Sequence, residues 1–193
     1  GGLAPTTYAV CATLGHLFDV VFVETVGIGQ SEADVRHLAH DVVLVVGPMA
    51  GDEVQFLKAG IIEIPDAFVV SKWDEPAAQR TFHQLRSSLG LTRPVDGHEI
   101  EIFCTSATTG EGVDELARHV LSRRAVHDGD HAVAAAQHFF RRWVVDEWGR
   151  VGTRHLEQLG GAAALVGAES ALATAQDEFE RSIRTSLADD RIR

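Results

Sequence analysis

AFVVSKWD, Ala67 to Asp74, runs four apolar residues into a serine, a lysine and an aspartate. Four residues are too few for a typical helix, and Phe and Val suit a strand buried on both faces. Three further apolar runs are just as short, at Asp19–Val23, Val42–Val46 and Ile100–Cys104. Between these lie stretches of helical period at Ser31–Ala39, Glu53–Ile62, Pro76–Leu89 and Val113–Leu121. Ser31 can cap the first, with Glu32 and Asp34 favourable in its first turn. Pro76 stands near a helix start, where its missing N–H costs nothing. Strand and helix alternating in this way predict an α/β fold: a mostly parallel sheet with helices on both faces.

The 193 residues suffice for one main domain with an extension. After residue 122 the strand signal stops, and helical patterns take over at Ala132–Trp148 and Ala168–Leu187. Two regions are therefore expected, 1–122 and 123–193. In the second, Phe139, Phe140, Trp143, Val144 and Trp148 make an apolar stripe that must be buried, either on the main domain or between subunits. A net charge of −11 and a pI near 5.3 argue against a surface built for nucleic acid or anionic lipid. No apolar run approaches the roughly 20 residues that span a bilayer. Cys11 and Cys104 read as buried reduced thiols of a cytoplasmic protein. The segment from His127 to His131, with two imidazoles and two carboxylates, reads as a solvated acidic turn before it reads as a metal site.

In open parallel sheets ligands bind where strands end in loops. At the first such loop, Glu24 is a carboxylate able to hold a hydrated magnesium ion. Gly27, three residues on, lets a backbone N–H approach a phosphate oxygen. At the loop after Val70, Ser71-Lys72-Trp73-Asp74 resembles the guanine-reading motif of GTPases, with Ser71 in place of the usual Asn. That resemblance implies that Asp74 accepts from the N1–H and the amine of guanine, and that adenine would leave it unpaired. The Lys72 stem would cover the base. At the loop after Cys104, Ser106-Ala107-Thr108 resembles the motif whose backbone N–H meets the guanine O6. The chain has only two lysines, Lys58 and Lys72, so one of the two falls in the guanine motif. An arginine would differ there in shape and hydration.

Pro48-Met49-Ala50-Gly51-Asp52-Glu53-Val54-Gln55, with the residues from Lys58 to Glu63, closely resembles a segment of the methylmalonyl-CoA mutase-associated GTPases, the MeaB/ArgK proteins long labelled LAO/AO transport system ATPases. Glu24-Thr25-Val26-Gly27-Ile28-Gly29-Gln30-Ser31-Glu32 matches the same family. Gly1 to Ala4 is similar to the start of its helix before this strand. The resemblance is dense over 1–122 and implies a P-loop-type G domain of the SIMIBI class that binds GTP and GDP with magnesium. It implies slow hydrolysis that gates cobalamin loading and protection of a B12-dependent acyl-CoA mutase. A C-terminal helical arm that forms a homodimer is implied as well. By that match Glu24 lies on the magnesium side, and Thr25, Val26, Gly27, Ile28, Gly29 and Gln30 form a switch. Asp52, Glu53, Gln55 and Lys58 form an additional switch, in which Met49 replaces a usual Gly. Gln30 and Lys58 are the candidates for ordering water or stabilising transferred charge.

Such a protein also needs a G-x-x-x-x-G-K-[ST] loop to cradle the phosphates, and no stretch of this sequence fits it. With a glycine rather than a methionine first, the chain reads as the C-terminal part of a longer GTPase, with weak turnover of its own. The alternative is a degenerate, non-hydrolysing scaffold of the same ancestry.

Overall fold

The computed structural model describes residues 3, 6–25, 32–48, 64–92, 100–123, 129–167 and 172–190. They form helices α1 (Thr7–Gly15), α2 (Glu32–Leu38), α3 (Pro76–Thr92), α4 (Val113–Ser122), α5 (Gly129–Gln158) and α6 (Leu172–Asp190), with a 3-10 turn at Ala162–Ala164. The strands are β1 (Val43–Val46), β2 (Ala67–Val70) and β3 (Glu101–Cys104). The chain divides into two compact units, one built on Thr25–Val126, the other on Leu3–Glu24 with His127–Arg193. The expected helix Glu53–Ile62 and the capping residue Ser31 lie outside the described residues.

In the first unit β2 is central and parallel to both neighbours. Its four residues are all buried, as the AFVV run requires. Successive side chains of a strand point to opposite faces. Phe68 and Val70 therefore pack with Ala78 and Leu85 of α3, while Ala67 and Val69 pack with Phe103 and with Leu116 of α4. Helices on both faces of a parallel sheet are thus observed, and the strand ends agree with the sequence reading to within a residue.

The fourth expected strand is not. Asp19–Val23 forms no regular element, and Phe22 is 81% exposed. Apolar, β-branched composition yields a strand only where a neighbour supplies a ladder and a face to bury. Among the described residues this run has no ladder partner, and its contacts group it with the helical unit.

At the amino end of the sheet the acidic residues that precede or open the strands are paired with bases from the helices. Asp66 accepts from Arg36 of α2 and from the Val42 N–H at 2.9 Å. Arg123, which follows α4, reaches Asp41 at 2.7 Å. His119 of α4, its ring against Phe103, places Nδ1 2.6 Å from Glu101 and Nε2 3.7 Å from Asp41.

The helical unit has its own core of Ala136, Phe140, Val144, Leu156, Val166, Ala175, Phe179 and Ile183. Phe140, Val144 and Phe179 are fully buried, and each buried side chain of this size contributes about 1.5–3 kcal/mol. Much of the apolar stripe of α5 is therefore buried inside its unit, with Trp143 and Trp148 partly exposed. Phe140 meets Phe179 of α6 edge-on at 5.8 Å, and Phe139 stacks on Tyr8 of α1 at 5.0 Å. Helical periodicity shows that a face is buried, not against what; here Tyr8 and Phe179 of the same unit cover part of the stripe. Gly149, at φ +53° and ψ −139°, interrupts α5 and bends it.

Candidate functional site

Two loops leave the carboxyl ends of adjacent strands and are tied together. The first, after β2, is fixed at each step. Ser71 donates to the Val46 carbonyl at the end of β1, from its N–H at 2.9 Å and from its hydroxyl at 3.3 Å. Lys72 takes a left-handed conformation, φ +52°, alone among the described non-glycine residues. The Trp73 N–H donates to the Thr105 carbonyl just beyond β3 at 2.9 Å, and the Glu75 N–H closes the turn on the Lys72 carbonyl. Pro76 then opens α3, its φ suited to a first turn.

The second loop is organised by the hydroxyl of Ser106, which is fully buried. A hydroxyl has one donor and two acceptor sites, and all three are in use. Ser106 donates to Asp74 Oδ1 at 2.5 Å, and it accepts from the N–H groups of Thr108 at 3.2 Å and Thr109 at 3.1 Å. Two glycines with positive φ, Gly110 and Gly112, return the chain to α4. At Gly112 a Cβ would stand 1.9 Å from the Cys104 carbonyl oxygen, so the close approach of the turn to β3 admits no side chain.

The exposed Asp74 carboxylate therefore has one oxygen held from below by Ser106, while Oδ2 carries no hydrogen bond among the described residues. Next to Ser106, the exposed Ala107 has an N–H with no partner among the described residues. A fixed acceptor beside a free backbone donor complements an edge that offers N–H groups and a carbonyl oxygen, as guanine does. Adenine's edge, an amine beside a ring acceptor, fits it poorly. The exposed Lys72 has its ammonium 3.9 Å from Glu75.

Of the residues singled out in the sequence, Ser71, Lys72, Asp74, Ser106, Ala107 and Thr108 are brought together here. Glu24 and Thr25 are exposed and in no regular element. Val26, Gly27, Ile28, Gly29, Gln30, Asp52, Glu53, Gln55 and Lys58 lie outside the described residues. Sequence reasoning missed the contributions of Thr105, Thr109 and Trp73. The hydroxyl-rich run Thr105 to Thr109 was a signal for Thr109, since serines and threonines close turns on nearby backbone N–H groups.

A parallel α/β sheet whose paired loops meet at its carboxyl end is the architecture of a P-loop-type G domain. Residues 1–147 match the family model described as methylmalonyl Co-A mutase-associated GTPase MeaB, and the chain belongs to that family. A Pyrococcus horikoshii protein named "Putative GTPase" is 44% identical over 120 residues, 60% of this chain and 38% of the relative. A Caulobacter vibrioides protein of the same name is 34% identical over 199 aligned positions, 100% of this chain and 59% of the relative. The Mus musculus methylmalonic aciduria type A homolog is 35% identical over 121 residues, 60% of this chain and 29% of the relative. The chain thus spans less than two thirds of the length of these relatives.

Proposed function

We propose that this chain carries the base-reading portion of a GTPase that serves a B12-dependent acyl-CoA mutase, gating its cobalamin loading. The reading rests above all on the Asp74 carboxylate held by Ser106 next to the Ala107 N–H. That pair would read the edge of GTP or GDP, Lys72 would lie along the base, and Ser71 and Thr108 would keep the two loops in place. Glu24, an exposed oxygen ligand, suits the magnesium side, and magnesium there would neutralise phosphate charge. Gly27 would approach a phosphate. The segment 25–30, with Asp52, Glu53, Gln55 and Lys58, would respond to the nucleotide state, and Gln30 or Lys58 would order the attacking water. The family description supports the mutase as partner. Among the described residues no helix is long and apolar enough to cross a membrane, in keeping with work in the cytoplasm. A homodimer through the helical unit would use exposed side chains such as Val145, Val151 and Leu187.

The test is binding of a fluorescent GDP analogue with magnesium to the full chain, competed by GDP and by ADP, beside Asp74→Ala. GDP should displace the probe at concentrations at least tenfold below those ADP needs, and Asp74→Ala should abolish that preference. Equal displacement by the two diphosphates would refute base reading at this site.

A further inference from the structure

Trp73 stands between the lysine and the aspartate of the guanine-reading loop, and its surroundings give it a role of its own. Its ring is half-buried in the cluster on the α3 face of the sheet, edge-on to Phe82 of α3 at 5.9 Å. Its N–H is bound to the Thr105 carbonyl, one residue before the Ser106 hub. The residue before it holds the left-handed conformation, which costs an ordinary side chain about 1–2 kcal/mol. Such a conformation persists only where the surroundings over-determine it. The indole ring packed against the core is a large anchor for the loop, and an aromatic pair adds to its area burial. With that anchor the chain turns Trp73 inward and leaves the next side chain, Asp74, exposed with one oxygen on the buried Ser106 hydroxyl.

We infer that Trp73 is a positioning residue: its packing on Phe82 fixes where Asp74 stands against Ser106, and so sets how sharply the site distinguishes guanine. This deepens the base-reading proposal and rests on it. Inosine diphosphate, which lacks the 2-amine, measures that sharpness, because a well-placed carboxylate accepts two hydrogen bonds from guanine and only one from hypoxanthine.

The experiment compares the full chain with Trp73→Phe and Trp73→Ala in two readouts. The first is the ratio of GDP to inosine diphosphate affinity, measured by competition. The second, taken without nucleotide, is NMR amide exchange at Thr108 and Thr109, whose N–H groups bind the Ser106 hydroxyl, against exchange in β2. Trp73→Ala should cut the ratio about tenfold and speed exchange at 108 and 109 about tenfold, with β2 protection retained. Trp73→Phe, which keeps an aromatic edge for Phe82, should fall between. Should Trp73→Ala not fold, Trp73→Phe and Phe82→Leu carry the comparison. Unchanged exchange at 108 and 109, or a uniform acceleration that includes β2, overturns the inference. A parent chain that prefers GDP to neither ADP nor inosine diphosphate overturns the base-reading proposal instead, and the exchange data still decide whether Trp73 holds the loop.

Discussion

Replacing Gly112 by alanine separates two costs that usually arrive together. The residue sits at φ +70°, and its Cβ would lie 1.9 Å from the Cys104 carbonyl oxygen and 3.0 Å from the carbonyl carbon. The left-handed backbone alone costs about 1–2 kcal/mol. Relieving the contact is the larger demand, because ordinary separation begins near 3.4 Å and the obstruction is backbone at the end of β3. The shift must loosen hydrogen bonds that flank it, Thr105 N–H to the Val70 carbonyl and Trp73 N–H to the Thr105 carbonyl. At about 0.5–1.5 kcal/mol each, these bring the expected loss for Gly112→Ala to about 2–5 kcal/mol. Gly110 supplies the control. It has φ +81° but nothing within 4 Å of its Cβ position, so Gly110→Ala should cost only the conformational share, about 1–2 kcal/mol. Urea unfolding followed by pulsed hydrogen exchange in peptides from β2 and β3 reports the sheet unit alone. Equal losses for the two variants, within about 0.5 kcal/mol, would refute the steric argument and with it the close approach of this turn to β3.

Three further outcomes are expected. Ser106→Ala removes the hydroxyl that Asp74, Thr108 and Thr109 share; it should cost about 1–2 kcal/mol and weaken GDP binding at least tenfold, and an unaltered affinity would show that the hub does not orient Asp74. The His138 imidazole lies below its ordinary value of 6.5 because burial disfavours its charged form, with the Arg141 guanidinium adding to the effect. The unfolded chain therefore binds this proton more readily, and stability should fall as pH drops below 6.5, a slope that His138→Gln should flatten in acid-range denaturant titrations. Burial raises both thiols, and at Cys104 the carboxylates of Glu111 and Glu115 raise it further; both should react with iodoacetamide several-fold more slowly in the native chain than in urea, and equal rates would contradict their placement.

The central strand was legible because burial on two faces leaves a strong mark: AFVV has no polar face to expose, and the Val-rich run before Gly47 was legible by its composition alone, since Val45 there is exposed. The loop residues Asp74 and Ser106 were legible because their chemistry is tied to short, ordered motifs. Other features depend on partners far along the chain. Nothing in the stripe from Phe139 to Trp148 says that Tyr8 and Phe179 will cover it. Nothing in Asp19–Val23 says that a run of good strand formers will lack a ladder among the described residues. Trp73 was passed over because the motif leaves its position unspecified; only its packing on Phe82 gives it meaning. The helix expected to stop at Trp148 does break at Gly149, but helix resumes beyond it to Gln158, which the pattern did not show.

The acidic residues at the amino end of the sheet also bear on how the strands find their alignment. Asp41, Asp66 and Glu101 precede or open three successive strands, and each meets a base fixed on a helix: Arg123 and His119 from the α4 end, Arg36 from α2. Sliding one strand by a single residue would carry its carboxylate about 3.3 Å along the sheet and turn it to the other side. The slip would also exchange Ala67 with Phe68 between the two faces of the central strand. A misaligned strand would leave its carboxylate away from the helix side chain it now meets, so these contacts add a polar mark of alignment to the one the apolar faces carry.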